Sequence, residues 1–208
     1  MADERDDEQP TDAGPVWRTI AGVVMVRGVA PLATLLLAIV VVGIPLYVFP
    51  SQDDVQHADA VLVIGPPMVQ RLVTAQALVE GGIAEEMVVS VPDGSIISSR
   101  LTPRLDDLCS AMPTEADYPV TCFTPDPFTT RGESQAIARM AEESGWESVI
   151  VVTSLPHILR ARVLFNRCAD AYDVFFVSDQ RKLDLSDWAY EYAYQTGAFG
   201  KVLLNRSC

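Results

Sequence analysis

The sequence is poor in basic residues, which excludes one large class of partner. Its 208 residues contain 15 Lys and Arg against 28 Asp and Glu, which gives a net charge of -13. Proteins that bind nucleic acid neutralise phosphates with clustered Lys and Arg. No such cluster stands out, so we expect no nucleic-acid partner. The hydrophobic content of 49% is higher than in disordered chains, and it suffices for one sizeable core and a membrane segment.

The sequence also lacks the residue clusters that hold metal ions. It has only two histidines, and its four cysteines form no Cys-x-x-Cys pair or Cys/His cluster of the kind that binds zinc. We therefore predict no metal site. The cysteines are Cys109, Cys122, Cys168 and Cys208.

We predict that these four cysteines form two disulfides. A bond between Cys109 and Cys122 would close a loop that contains proline, and a bond between Cys168 and Cys208 would tie residue 208 to the domain. Three pairings are formally possible. Four unpaired buried thiols are the alternative if this part of the chain lies in a reducing compartment.

One long uncharged run lies near the start of the chain. Residues 29–49, VAPLATLLLAIVVVGIPLYVF, contain no charge, and as a helix they would span about 30 Å, enough to cross a bilayer. A cleaved secretory signal is the alternative. However, the run is longer than a usual signal core, and the Phe-Pro-Ser-Gln that ends it is a poor cleavage site. We predict an uncleaved transmembrane helix.

The basic residues around this run predict its orientation. Arg18 and Arg27 precede it, and the first basic residue after it is Arg71. The positive-inside rule therefore predicts a single-pass protein of the plasma membrane with its N-terminus in the cytoplasm. We expect residues 1–28 to be a disordered acidic tail with a basic flank, and residues 51–208 to be an extracytoplasmic domain.

Strand and helix patterns alternate along residues 51–208. Buried apolar runs predict strands, and apolar residues at helical spacing predict helices. This alternation predicts a three-layer α/β domain with a mostly parallel sheet. The predicted strands are 59–65, 86–91, 120–123, 148–154 and 173–178, and the predicted helices are 68–80, 104–110, 130–144, 155–171 and 186–195.

Polar side chains collect where the predicted strands end. Ligands of open parallel sheets bind beyond the carboxyl ends of the strands. We therefore expect a ligand site at this edge, with its residues drawn from four strand ends and from the helices that follow. The candidate residues are Gly65, Arg71, Ser90, Thr130, Glu133, Thr153, Ser154, His157 and Arg160.

The stretch VVTSLPHILRAR, residues 151–162, carries the strongest part of this prediction. It reads as a buried strand that becomes a helix, with His157 in the first helical turn and Arg160 three residues later on the same face. Free backbone N-H groups at a helix start favour an anion. The alternative is local: Ser154 caps the helix, His157 bonds a backbone carbonyl and Arg160 pairs with a surface acid.

Two other candidates also have a structural alternative. Thr130 and Glu133 have the spacing of a capping box, which would account for both residues. In the functional interpretation they face the cleft, and Glu133 orients the imidazole of His157 or acts as a base. Arg71 is either a surface arginine that lies over its own stem or, if its helix starts at Pro66, a side chain that leans toward the ligand edge.

These motifs resemble the YdcF-like family, which includes envelope proteins of the SanA and ElyC type. The resemblance covers residues 55 to 180, and the Val-Thr-Ser-x-x-His-x-x-Arg-Ala stretch that starts at Val152 is its most specific part. It implies a Rossmann-like domain, often tethered to the bacterial inner membrane, with a role in envelope integrity or peptidoglycan precursor handling. One member is associated with S-adenosylmethionine, but an extracytoplasmic domain has no obvious supply of it, so the cofactor is unknown.

The expected function follows from the residues and the resemblance together. His157 would act as acid or base with Glu133 as its partner, and the remaining candidates would hold an anionic small molecule or a lipid-linked precursor. The chain departs from the family at Pro66-Pro67 and at Val91-Pro92, where the family favours glycine. Proline removes an N-H donor and fixes φ, so two phosphate-binding loops are expected to be altered. The alternative is a non-catalytic interaction module with a vestigial pocket.

Overall fold

The computed structural model describes residues 28–92, 109, 117–169, 171–205 and 207–208. It divides the chain into two compact units, of which the first ends at Val42 and the second starts at Gly43. An apolar helix, α1 (Ala30–Gly43), makes up the described part of the first unit, and a π-helical turn, Ile44–Val48, follows in the second.

Helix α1 is exposed although it is apolar. The stretch Ala30–Val48 has a mean hydropathy of 2.4, and side chains such as Leu37 are more than half exposed. A core helix of a water-soluble protein would bury them. Within the described residues this is the one helix long and apolar enough to cross a membrane, and it fits a single-pass membrane protein or a signal sequence.

The second unit alternates strands and helices, and the predicted α/β class is confirmed. A short 3-10 turn, Leu155–His157, joins β4 to α4. The strands are β1 (Ala58–Val63), β2 (Ala84–Ser90), β3 (Val120–Phe123), β4 (Ser148–Thr153) and β5 (Asp173–Ser178), and the helices are α2 (Val69–Glu80), α3 (Thr130–Ser144), α4 (Ile158–Phe165) and α5 (Leu185–Leu204).

The five strands form one parallel sheet in the order β3-β2-β1-β4-β5. Both faces of β1 are buried, which explains why it reads as a continuous apolar run rather than an alternating one. Leu62 and Ile64 pack with α3 and α4, whereas Val61 and Val63 pack with α2 on the other face. These three layers make a Rossmann-like architecture.

Two helices differ from the predicted ones. The predicted helix 155–171 starts as the 3-10 turn and ends as α4 at Phe165. Helix α5 is longer than the predicted helix 186–195, because it continues through Gly197 and Gly200 to Leu204. It begins with a capping box between Asp184 and Asp187. Its far end is fixed by Arg167, which donates to the carbonyl of Val202. The predicted helix 104–110 lies outside the described residues except for Cys109.

Both predicted disulfides are present. Cys109 is bonded to Cys122 in β3, and Cys168, just after α4, is bonded to Cys208. No cysteine among the described residues is free. Disulfides persist in oxidising compartments, so they favour an extracytoplasmic position for this unit.

The segment before β1 covers the free edge of β5. Asp53 donates its N-H to the carbonyl of Phe176 at 3.1 Å, and its carboxylate accepts from the Phe176 N-H at 2.7 Å. Gln52 Oε1 accepts from the Ser178 N-H at 2.9 Å. Arg162 holds the segment from α4 through an ion pair with Asp53 at 2.9 Å. The outer edge of β5 is therefore hydrogen-bonded mainly by side chains of this segment rather than by another strand.

Candidate functional site

A cleft of about 450 Å³ opens at the carboxyl edge of the sheet. It lies between β1 and β4, which are neighbours in the sheet, although the chain leaves them toward opposite faces. Such a switch point leaves a crevice between the two connections, and ligands of doubly wound sheets bind there.

The structure brings most of the candidate residues to this cleft. Seven of the nine line it: Gly65, Arg71, Thr130, Glu133, Ser154, His157 and Arg160. The other two, Ser90 and Thr153, are fully buried at the ends of β2 and β4 and do not line it. Thr153 reaches the site indirectly, through His157.

The imidazole of His157 is held between two threonines. Its Nδ1 lies 2.8 Å from the Thr153 hydroxyl, and its Nε2 lies 3.4 Å from the Thr130 hydroxyl. Thr130 also accepts a hydrogen bond from Arg160 Nη1 at 3.3 Å, so its own proton is available for Nε2. Either ring nitrogen can carry the proton in this network, because each hydroxyl can donate or accept. The predicted pairing of Glu133 with the imidazole is therefore not the arrangement present.

The surroundings of His157 keep it neutral. Burial lowers its pKa well below 6.5, and the positive charges of Arg160 and Arg71 lower it further. A neutral imidazole has one acceptor nitrogen, so at neutral pH His157 is in the form that a base requires and not in the protonated form of an acid. Of the two roles predicted for His157, the electrostatics favour the base.

Among the described residues, Arg160 is the arginine of the cleft that forms no direct ion pair with a carboxylate. Its Nε donates to Gln195 Oε1 at 3.0 Å, its Nη1 donates to Thr130, and its guanidinium lies 5.6 Å from the Tyr194 ring centroid. The other two arginines of the cleft are ion-paired, whereas Arg160 forms no ion pair among the described residues. Burial lowers the pKa of Arg160, and the charges of Glu133 and Glu191 raise it only in part. Because neither carboxylate is within ion-pair distance, the guanidinium can still bind an anion directly.

Glu133 binds the backbone rather than a capping partner. Its Oε1 accepts from the Gly65 N-H at 2.6 Å, which fastens α3 to the end of β1. The cap of α3 is Thr129, whose hydroxyl accepts from the Gly132 N-H at 3.2 Å, so the capping box predicted for Thr130 and Glu133 is wrong. Burial raises the pKa of Glu133, although Ser90, the Gly65 N-H and the two nearby arginines lower it in part.

Arg71 is buried and lines the cleft, so it is not a surface arginine but a side chain that leans toward the ligand edge. Its helix starts at Val69 rather than Pro66, and its guanidinium lies inside the site. Nη1 donates to the carbonyls of Ile64, Gly65 and Pro66, and Nε pairs with Asp179 at 3.4 Å. The predicted role as an anion clamp is thus limited, because the protein itself uses much of this side chain.

The turn after β1 offers few backbone donors. The Gly65 N-H is taken by Glu133, and Pro66 and Pro67 have no N-H. A Cβ at Gly65 would lie 2.7 Å from the ring of Phe128, so a larger residue there would have to displace this ring. The loop at residues 65–67 therefore has no free backbone N-H with which to bind a phosphate, because one is bonded to Glu133 and the two prolines have none.

The sequence analysis missed the side of the cleft that α5 and β5 supply. Gln195 orients Arg160 and donates to Glu191 at 3.0 Å, and Glu191 pairs with Arg181 at 3.2 Å. Asp179, the ion-pair partner of Arg71, directly follows β5, so a polar residue at a strand end was a signal that could have found it. The α5 residues carried no such signal.

A second depression, the α5 groove, adjoins the cleft. It measures about 700 Å³ and lies between the start of α3, α4 and α5. Small and apolar residues form much of its lining, with three basic side chains, Arg131, Arg160 and Lys201. It shares four residues with the cleft: Thr129, Thr130, Arg160 and Tyr194.

The fold and the site define a Rossmann-like α/β domain with a strand-end cleft. No protein-family model matches the chain, and neither a curated protein nor a solved structure is significantly similar to it. The resemblance to the YdcF-like family accordingly stays a prediction from the motifs. Among the described residues no cluster of His, Cys, Asp and Glu could hold a metal ion.

Proposed function

We propose that this chain is a membrane-anchored protein of the cell envelope, of the YdcF-like type, whose strand-end cleft binds an anionic small molecule or a lipid-linked cell-wall precursor. In this proposal residues 29–49 cross the plasma membrane once, the N-terminus is cytoplasmic and residues 51–208 lie outside. The exposed apolar helix and the two disulfides support this arrangement. The role in envelope integrity follows from the resemblance alone.

The observation that carries the proposal is the guanidinium of Arg160. It lines the cleft, it is held by neutral groups, and it has no carboxylate partner among the described residues. A phosphate or carboxylate would form the direct ion pair that Arg160 lacks and would accept charge-assisted hydrogen bonds. The neutral imidazole of His157 lies in the same network, and a base is the role it offers to phosphoryl or glycosyl chemistry.

Replacement of Arg160 by alanine tests this function. Each hydrogen bond to a charged group contributes about 1.5–3 kcal/mol, so we expect Arg160→Ala to weaken the binding of glycerol 3-phosphate by roughly 10- to 100-fold. Isothermal titration calorimetry on the full chain in detergent measures this. Arg139→Ala is the matched control, because Arg139 is exposed on α3 and does not line the cleft. Equal affinities of the two variants would refute the assignment.

A non-catalytic interaction module is the second candidate. Glu133 and Arg71 favour it, because both are engaged by the protein's own backbone. In that case the cleft is vestigial, and no phosphate compound should bind to the wild-type chain at millimolar concentration.

A further inference from the structure

The α5 groove differs from the cleft in its chemistry. Its floor comes from Leu164 and Val202 and from the small side chains of α5, among them Ala193 and Gly197. A Cβ built at Gly197 meets nothing within 4 Å, so the groove is open at this point of the helix. Arg131, Arg160 and Lys201 also line the groove, but its apolar floor accepts hydrocarbon better than a charged group.

The groove meets the cleft at the proposed anion-binding group. Arg160 and Tyr194 line both depressions, and Arg160 stands over the Tyr194 ring. The two depressions therefore adjoin at Arg160, and a ligand that binds this guanidinium by its anionic group can place its other end in the groove. The two depressions together suit a molecule with one charged end and one apolar end.

The neighbouring face of α5 holds the end of the apolar segment. Tyr47 in the turn Ile44–Val48 is buried, its ring packs edge-on against Tyr192 with 5.3 Å between centroids, and its hydroxyl lies 3.4 Å from that of Thr196. Exposed tyrosines, including Tyr190, lie on the same helix. Tyrosine is enriched where proteins meet the membrane-water interface.

The chain then reaches the carboxyl edge of the sheet before it enters β1. Gln52 lies beside Ser178, the last residue of β5, and Asp53 lies beside Phe176, two residues earlier. The segment therefore runs from the carboxyl edge toward the amino edge. Within the second unit, residues 44–48 therefore contact α5, and the segment that follows them passes the carboxyl edge of the sheet, where the cleft opens.

We infer that the ligand is a phosphate-bearing lipid, whose head group binds at Arg160 and whose hydrocarbon chain lies in the α5 groove. This inference rests on the proposed function and selects the lipid-linked class of ligand over the water-soluble class. Three observations carry it: the floor of the groove is apolar, the groove adjoins the cleft at Arg160, and it lies next to the face of α5 that contacts Tyr47.

Native mass spectrometry of the full chain released from detergent micelles tests the inference. The probes are farnesyl monophosphate, glycerol 3-phosphate, which lacks the long chain, and farnesol, which lacks the phosphate. We expect farnesyl monophosphate to bind at least about 10-fold more tightly than either of the other probes, since only this probe engages the charged and the apolar parts together.

Two glycines of α5 provide a matched pair of variants. Gly197 lines the groove and Gly200 does not, and a Cβ at either position meets nothing within 4 Å. Gly197→Leu fills the groove, and we expect it to weaken farnesyl monophosphate binding by about 10-fold or more without changing glycerol 3-phosphate binding. Gly200→Leu should behave as wild type. Ala193→Leu, also in the groove, replaces the first variant if that protein fails to fold.

The results separate this inference from the proposed function. If Gly197→Leu and Ala193→Leu bind farnesyl monophosphate as wild type does, while Arg160→Ala does not bind it, the groove assignment is wrong and the anion site stands. If glycerol 3-phosphate binds as tightly as farnesyl monophosphate, the lipid class is wrong and the proposed function stands. If none of the phosphate compounds binds, both fail.

Discussion

At the two edges of the sheet the pKa of a carboxylate is shifted in opposite directions. At the amino edge, Asp59 Oδ2 accepts from the N-H groups of Glu147 and Ser148 at 2.7 and 2.8 Å and from the Ser148 hydroxyl at 3.0 Å. Burial raises the pKa of Asp59 by less than these hydrogen bonds lower it, and the pKa is lowered overall. At the carboxyl edge burial dominates, and the pKa of Glu133 is raised.

This difference separates structural polar groups from candidate functional ones. A carboxylate whose pKa is lowered stabilises the fold when it is ionised, whereas one whose pKa is raised makes the ionised fold less stable. Asp59 ties the start of β4 to β1. The partly buried cleft contains Glu133, His157 and Arg160. Buried polar and charged groups of this kind lower the stability of the fold, and proteins keep them mainly where they serve a function.

The largest effect on stability is expected at the amino edge. Asp59→Ala removes three hydrogen bonds and leaves two backbone N-H groups to water, so we expect a loss of about 2 kcal/mol in the free energy of unfolding. Denaturant unfolding of the full chain in detergent measures it. Binding of glycerol 3-phosphate should not change, because Asp59 lies at the opposite edge from the cleft.

Asp54→Ala is the control for this variant. Asp54 is exposed and forms only a 3.3 Å hydrogen bond with Gln56 among the contacts found for it, so the change should stay within about 0.5 kcal/mol. If Asp59→Ala weakened ligand binding but left stability intact, the two edges would not divide structure from function as we argue.

The next effect is a pH dependence at the carboxyl edge. The pKa of His157 is lower in the folded protein than the 6.5 of an unfolded chain, so below pH 6.5 the unfolded state binds more protons. His157 therefore contributes a loss of stability as the pH falls, by up to about 1.4 kcal/mol per pH unit. His157→Asn keeps a donor near Thr153 and should remove this part of the slope in thermal unfolding at several pH values.

The other histidine is the control. His57 has an exposed side chain 3.5 Å from Glu85, and His57→Asn should leave most of the slope in place. If the His157→Asn slope matched that of wild type, His157 would be protonated in the folded protein and the base role would lose its support.

The smallest effect is expected from paired serine variants. Ser90 Oγ at the carboxyl edge is buried and makes no well-directed hydrogen bond with a described residue, so Ser90→Ala should change stability by less than about 1 kcal/mol. Ser148 at the amino edge bonds Asp59, and Ser148→Ala should lower stability by about 1 kcal/mol. Denaturant midpoints measured side by side test the order, and a larger loss for Ser90→Ala would contradict it.

The sequence predicted the fold and the disulfides well, and the reasons are local. Both faces of β1 and β4 are buried, so these strands are apolar throughout and easily found. The end of α5 was missed because glycine at positions 197 and 200 weakens a helix in isolation, whereas contacts such as that of Arg167 with Val202 hold it in the fold.

The sequence predicted those site residues that lie at the ends of strands or follow them closely. Rules for open sheets bring the ends of β1 and β4 together, and His157 and Arg160 follow β4 closely. The partners of each side chain depend on distances across the fold, so the link between Glu133 and Gly65, 68 residues apart, had no local signal. Likewise, Thr129 and Thr130 are adjacent, and the sequence alone did not show which of them caps α3. The cap is Thr129, one residue before the predicted position.

The hydrogen bonds that Gln52 and Asp53 make to β5 have a consequence for preparing this domain without its anchor. An unpaired border strand is a template on which other copies of a chain can add their own strands. A version that began at Ala58 would expose such a border and invite self-association. The residues that join the apolar segment to the domain therefore also shield this edge of the sheet, and any truncation should start before Ser51.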